Sequence, residues 1–453
     1  LQKVASVLSG YDIVVIIGSL IAVYLAARKG RASDTSGYVV AGRTLTLPFF
    51  VATLVATWYG AVLGSGEFIL RYGISFILCF GVPYYVVALA YASFLAKRIH
   101  ASKTVSIPDQ FGRVYGSRGR TISAAILLVI TTPASYQLMM GVLLTHLFQI
   151  PLLVSITLGT GVSIAYVFAG GLRSDVYANT VQFVLMYLGM AVLVAFAIAT
   201  YGSPLQMWSA LPAVSKEIPG TIGWSGILGW FIIALQTFID PNFYARTLAA
   251  TSPRIAGRGL AVSVACWMVF DLLQLAAGMY MIAFAPETDP TTSYLSFAMS
   301  MLPSAYRGLF VASLLAAVMS TLDGYALSSA TMLAHDVMPK HMLTQHPLSR
   351  YRISLLIIAV AGSIVALCVP SIIDIIFYSA SIAVSAVLVP LLMSFTSRAG
   401  VLRHSITWQL IVPAVAATLS LAADLGEPIF VGLIVSAGLA LRTFLRSHHA
   451  TTE

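Results

Sequence analysis

Ser320 and Thr321 stand side by side in an apolar stretch, Ala316-Ala317-Val318-Met319-Ser320-Thr321-Leu322-Asp323-Gly324-Tyr325. Helical spacing puts Ala317, Ser320, Thr321, Gly324 and Ser328 on one face. Two hydroxyls there can turn lone pairs toward one point, and the Ala317 carbonyl can join them if its own helical bond is loosened. Such an all-oxygen set suits a hard cation such as sodium. The same pattern also describes a small-residue packing face whose hydroxyls bond back to their own helix. A second feature is Gln236-Thr237-Phe238-Ile239-Asp240-Pro241, where an acid precedes a proline that removes a backbone donor. A third is Ala56-Thr57-Trp58-Tyr59-Gly60-Ala61-Val62-Leu63-Gly64-Ser65-Gly66, with three glycines in seven residues, each costing a helix about 1 kcal/mol relative to alanine.

The elements that must position these residues follow from composition. Only 9% of the 453 residues are charged and 59% are hydrophobic; mean hydropathy is +0.91. So few charges cannot cover a soluble surface, which argues against a soluble enzyme, a nucleic-acid binder and a disordered chain. The cysteines, Cys79, Cys266 and Cys368, lie in separate apolar segments and suggest neither a disulfide framework nor a metal site. Apolar runs of membrane-spanning length recur throughout. They predict an all-α polytopic membrane protein of about thirteen helices, at 9–27, 45–73, 75–97, 118–148, 150–171, 175–201, 222–246, 256–285, 304–335, 351–369, 371–396, 405–423 and 427–446. Twenty-one of the 25 Lys and Arg residues then fall in alternate loops, and only Lys3, Arg71, Lys216 and Arg307 fall on the other side. The positive-inside rule makes the rich side cytoplasmic, with the N-terminus outside and the C-terminus inside. The expected location is the cell (inner) membrane. Asp12, Glu67, Asp271 and Asp374 fall mostly near predicted helix ends, within reach of the interface. Asp240 lies deeper, where an acid costs about 2.5–3.5 kcal/mol, and a functional role is expected for it.

The glycine-rich helix opens one set of five helices and the Asp-Pro helix opens the next. Interrupted helices at matching places in two halves point to inverted repeats around a midplane site. The expected divisions are 1–44, an extra helix and first loop; 45–201, the first repeat; 202–396, the second; and 397–453, two further helices and a tail.

The chain resembles the sodium/solute symporter family. The resemblance runs through Ala41-Gly42-Arg43, Gly170-Gly171-Leu172 with Gln182, and Gln236 with Arg246-Thr247-Leu248-Ala249-Ala250. It continues into Ala317-x-x-Ser320-Thr321 and His335-Asp336. It implies a leucine-transporter type core of five plus five inverted helices and sodium-driven symport. It further implies a sodium site made of the Ala56 and Tyr59 carbonyls, the Ala317 carbonyl and the Ser320 and Thr321 hydroxyls. For the solute it points by position to Trp58, Leu63, Gln236, Thr237 and Asp240. Ala56-Thr57-Trp58 is similar to choline transporters, where aromatic faces suit a quaternary ammonium. Many members carry an Asp where this chain has Asn179, and in some of them it belongs to a second sodium site; Asp323 could supply that carboxylate from the facing side.

The expected function is sodium-coupled import of a small polar solute (an amino acid, carboxylate, sugar or ammonium compound) by alternating access, with no enzymatic activity and no nucleic-acid partner. Two other readings fit the same residues: a proton-coupled carrier using Asp323 or Asp240, and a solute sensor that does not transport.

Overall fold

The computed structural model describes residues 8–286, 290–339, 348–369, 372–423 and 427–449, and all its extended elements are helices. The side chain of Asp374 lies outside what is described. Helix α1 is Gly10–Lys29. The predicted second span is two helices, α2 (Leu47–Ala56) and α3 (Val62–Tyr72), joined through an unwound turn. Next come α4 (Ile77–Ser102), α5 (Ser117–Ile130) and α6 (Ala134–Phe148). Helix α7, Leu152–Tyr201, is a 50-residue run broken at Gly171. Then follow α8 (Gly223–Ile233), α9 (Pro241–Ala249), α10 (Pro253–Phe284) and α11 (Tyr306–Met332). The series closes with α12 (Ser349–Cys368), α13 (Ile372–Ser394), α14 (Ile406–Ala422) and α15 (Pro428–His449).

Eleven helices among the described residues are long and apolar enough to cross a membrane. The expectation was about thirteen. The difference lies in α7, where two predicted spans meet at the Gly171 break with no loop between them and so form one run, and in α14, which is apolar but shorter. At Gly171 the backbone has φ +58°, and a Cβ would collide with Tyr38, so only glycine allows α7 to turn there. The predicted 118–148 helix is interrupted where Pro133 precedes α6. Here the Thr131 carbonyl accepts the Ser329 hydroxyl at 2.6 Å.

Local signals explain the helix starts. Ser9 and Asp12 form a capping box on α1. Asp240 caps α9 with Pro241 at its first turn, and Ser252 caps α10 with Pro253. Within the loops, 98–117 holds the short helix Ile107–Tyr115 and 286–303 holds Ser293–Met301.

Burial orders the helices around α11. Its most apolar window is 89% buried, against 22% for α1 and 28% for the last span. Peripheral helices turn Val14, Trp408 and Ile434 outward, as lipid-facing surfaces should. The two interrupted helices are clamped together at the arginine-rich side. The Leu45 N–H donates to Ala249 O at 2.9 Å, Thr251 N–H to Leu45 O at 3.0 Å, and the Arg43 guanidinium to Leu248 O at 3.1 Å.

One ion pair is fully enclosed. Arg246 on α9 donates to Asp175 on α7 at 2.8 Å, and both side chains are 0% exposed. Arg246 also donates to Asn242 at 2.9 Å. Gly324 of α11 makes room, since a Cβ there would come 2.7 Å from Asn242 Oδ1. Removing one partner strands a buried charge, whereas replacing both removes the need for pairing. Arg246→Leu should therefore lower unfolding stability by about 3–5 kcal/mol. Adding Asp175→Leu should recover most of that loss, as read by denaturation of the purified protein in detergent.

Candidate functional site

The turn at 57–61 departs from the α-helix for reasons visible in its bonds. The Thr57 hydroxyl folds back to Thr53 O at 2.7 Å, and the Trp58 N–H reaches only to Val55 O, one residue short of an α-helical bond. Tyr59–Ala61 then forms a 3₁₀ turn. The carbonyls of Ala56 and Thr57 are met from across the helix interface. The Ser320 hydroxyl lies 2.7 Å from Ala56 O and 2.9 Å from Ala317 O. The Thr321 hydroxyl lies 3.0 Å from Thr57 O and 3.2 Å from Ala317 O. Close approach depends on Gly60, where a Cβ would collide with the Thr321 side chain.

The structure thus brings together Ala56, Ala317, Ser320 and Thr321, and adds the Thr57 carbonyl, which sequence reasoning missed. The carbonyl of Tyr59 instead accepts the N–H of Val62 inside the 3₁₀ turn. The five converging oxygens are neutral and buried. Each hydroxyl now spends its proton on a carbonyl. Rotation of the two O–H bonds would present lone pairs to a cation in the same space, so the donor set fits a dehydrated monovalent ion.

The expected solute residues divide. Trp58 heads an aromatic cluster, with ring centroids 5.0 Å from Tyr84, 5.2 Å from Trp267 and 5.5 Å from Phe243. Trp267 and Phe243 were not anticipated, because their membership depends on α9 and α10 packing against the break. The Trp267 indole N–H and the Thr237 hydroxyl are buried without a protein partner among the described residues. Gln236 is half-buried. Leu63 is 2% exposed, one residue into α3. Asp240 accepts the Asn242 N–H at 2.7 Å and the Tyr325 hydroxyl at 2.7 Å. Tyr325 in turn stacks on Tyr136 at 5.2 Å. The carboxylate is therefore first a helix cap, a role its place before a proline could have signalled.

Asp323 does not face the Ser320–Thr321 oxygens. It accepts Ser163 at 2.7 Å and the Tyr166 hydroxyl, both on α7. Asn179 donates to Thr53 at 2.8 Å, and Gln182 to Tyr166 at 3.2 Å. Asp323 and Asn179 thus have separate partners among these bonds.

Asp12 and Asp271, both expected within reach of the membrane interface, have buried side chains, Asp12 being 0% and Asp271 3% exposed. Each is solvated by protein donors: Asp12 by the N–H groups of Ala305 (2.9 Å) and Gly308 (3.0 Å), and Asp271 by tyrosines and Gln274.

At the arginine-rich side, a small cleft is lined by residues including Tyr38, Tyr244, Ser328 and Thr331. Beside it, Arg120 pairs with Asp109 and, at 3.1 Å, with Asp336. Burial alone would raise the Asp109 carboxyl; the His335 ring and the Arg120 guanidinium outweigh it and hold the group below the usual carboxylate range. Asp109, His335 and Asp336 bring ligand-type atoms within 4.8 Å. The guanidinium already supplies the positive charge there. On the opposite side, Phe68, Phe80 and Trp230 pack together, with Phe68–Phe80 centroids 4.8 Å apart and Phe80–Trp230 centroids 4.4 Å apart.

The capping role of Asp240 separates from any other by substitution. Asp240→Asn, which can still cap, should stay within about 0.5 kcal/mol of the parent, and Asp240→Ala should lose about 1 kcal/mol or more. Thermal unfolding measures both.

The Na⁺-coupled sialic acid symporter solved in a substrate-bound, outward-open state superposes with a TM-score of 0.79 at 15% identity, over 96% of each chain. A nucleobase-cation-symport-1 family transporter, closed around bromovinylhydantoin, superposes at 0.61 and 13% identity, over 91% of this chain and 95% of that one. The fold is therefore that of the leucine-transporter type. By sequence, a sodium/proline symporter of Haemophilus influenzae is 23% identical over 69% of this chain and 63% of its own length. A high-affinity choline transporter of Caenorhabditis elegans is 23% identical over 82% of this chain and 70% of its own. The match to the first of these thus spans under two thirds of that relative. The sodium:solute symporter family model matches residues 38–402, and the chain belongs to that family.

Proposed function

We propose that this protein imports a small polar solute together with sodium by alternating access across the cell membrane, its arginine-rich loops cytoplasmic. The observation that carries the reading is the crossing of the unwound turn with α11, where the oxygens of Ala56, Thr57, Ala317, Ser320 and Thr321 converge between helices that must move relative to each other. Sodium is a co-substrate. Bound there, it replaces the hydroxyl-to-carbonyl bonds with ion-to-oxygen contacts and ties the two helices more firmly in one arrangement. The pair of interrupted helices, one opening each of the repeats 45–201 and 202–396 and joined through Leu45 and Ala249, is the natural unit to rock against the remaining bundle. One entering positive charge at −100 mV contributes about 2.3 kcal/mol to uptake.

The solute occupies the region beside Trp58, Gln236 and Thr237, where the Trp267 N–H and the Thr237 hydroxyl await a polar partner. Relatives named for proline, pantothenate and choline show how varied the solutes of the family are. The cleft beside Tyr244 and Ser328 supports an inward-facing exit, and the Phe68–Phe80–Trp230 packing supports a closed outer side. A second cation is supported by Asn179 Oδ1 and Gln182 Oε1, buried acceptors without a protein partner, with Asp323 on the facing helix.

Ser320→Ala and Thr321→Ala should each raise the sodium concentration for half-maximal uptake by about tenfold, while solute affinity at saturating sodium changes less than about threefold. Uptake into proteoliposomes under a sodium or a proton gradient measures both. Unaltered sodium dependence in the two variants, or uptake driven by protons without sodium, would end this reading.

A further inference from the structure

Asp271 is a buried carboxylate that neither the sodium crossing nor the solute region explains. It lies within α10, 3% exposed. Its surroundings are donors. The Tyr59 hydroxyl stands 3.0 Å from Asp271 Oδ1, the Tyr85 hydroxyl donates to Oδ2, and the Gln274 amide donates at 3.3 Å. No Lys, Arg or His among the described residues pairs with it. An acid at such depth costs about 2.5–3.5 kcal/mol on insertion scales, and packing alone gives no reason to keep one there.

The break in the second span supplies a reason. Tyr59 belongs to the unwound turn. Its side chain points to α10, reaching both the Trp267 carbonyl and Asp271 at 3.0 Å. The backbone just before it points the other way, with the Ala56 and Thr57 carbonyls on Ser320 and Thr321 and Gly60 against Thr321. The turn is thus held between two helices, by hydroxyls of α11 on one side and by acceptors of α10 on the other. Beyond the break, the Ser65 hydroxyl bonds to Gln274, one turn from Asp271. A segment with few helical bonds of its own has little else to fix its carbonyls, and the Tyr59 phenol held at the Asp271 carboxyl and the Trp267 carbonyl anchors it to α10.

We infer that Asp271 is a positioning residue for sodium coupling, holding the Tyr59 hydroxyl so that the unwound turn keeps its carbonyls against Ser320 and Thr321. The inference rests on the sodium site proposed above. It makes Asp271 act through Tyr59 and not by its charge on the ion.

The test uses the full chain in detergent and titrates sodium chloride against potassium chloride at constant ionic strength, reading the apparent melting temperature. A ligand that binds the native state raises it by mass action. Tyr59→Phe should raise the half-saturating sodium concentration about fivefold. Asp271→Ala should raise it somewhat less, because the Trp267 carbonyl still accepts the phenol. The double variant should be no worse than Tyr59→Phe alone, since the two residues act in one chain. Asp271→Asn, which keeps an acceptor oxygen, should fall about midway between parent and Asp271→Ala on a logarithmic scale. Tyr85→Phe removes a donor to the same carboxylate without touching the break and should leave the midpoint in place. If Asp271→Ala does not fold, the comparison of Tyr59→Phe with Tyr85→Phe carries the test. Equal midpoints in those two, additive effects in the double variant, or an Asp271→Asn as impaired as Asp271→Ala would overturn the inference. A sodium midpoint unmoved by Ser320→Ala and Thr321→Ala would instead overturn the underlying site.

Discussion

In hydrocarbon a backbone carbonyl without a partner is costly, so a helix interrupted inside a membrane must find acceptors and donors elsewhere in the protein. That constraint organises this molecule. The second span unwinds at 57–61, and its exposed carbonyls are met by Ser320 and Thr321 of α11. The kink near Pro133 leaves the Thr131 carbonyl open, and Ser329 of the same α11 meets it. Further along, Ser328 reaches Asn242 in the first turn of α9, the helix that resumes after Asp240. A single buried helix therefore provides hydroxyls to interruptions in three others. Its own helical bonds leave those hydroxyls free to do so, and small residues such as Gly324 let the partners approach.

The same arrangement is what the proposed cation site is built on. Hydroxyls that satisfy carbonyls by donating can instead turn lone pairs inward, so under that proposal the crossing would have two satisfied states, one dry and one holding an ion. A site that is satisfied either way can load and unload without stranding a polar group. It also lies where the clamped pair of interrupted helices meets the rest of the fold, so occupancy bears on the relative placement of the two parts. The Arg246–Asp175 pair spans the same boundary from α9 to α7. Buried charge there is neutralised locally, which leaves Asp240, Asp271 and Asp323 as acids held by neutral donors.

Particular residues show how far the sequence could be read. The alternation of basic loops and the apolar runs gave the all-helical membrane class, and the glycines and Pro241 marked where two helices would be interrupted. Spacing placed Ser320 and Thr321 on one face with Ala317. The sequence did not reveal that Asp323, two positions from Thr321, turns to Ser163 and Tyr166 on another helix, because helical geometry sends it to a different face. It did not reveal the partners of Asp271, because burial by residues distant in the chain leaves no trace in local hydropathy. The resemblance named the Tyr59 carbonyl, which here accepts the Val62 N–H within its own turn, and gave no sign that the Thr57 carbonyl meets Thr321.

What the sequence determined by itself was everything fixed by local period and composition: the membrane as solvent, the spans, the breaks, and a hydroxyl pair suited to a hard ion. Those depend on neighbours within a turn or two. The tertiary structure alone decided which hydroxyl meets which carbonyl, that Trp267 and Phe243 join Trp58, and that a lone acid on α10 grips the tyrosine of the unwound turn. These are meetings between residues as many as 264 positions apart, set by how helices cross, and crossing angles depend on the shapes of whole packed faces and not on any short run of residues.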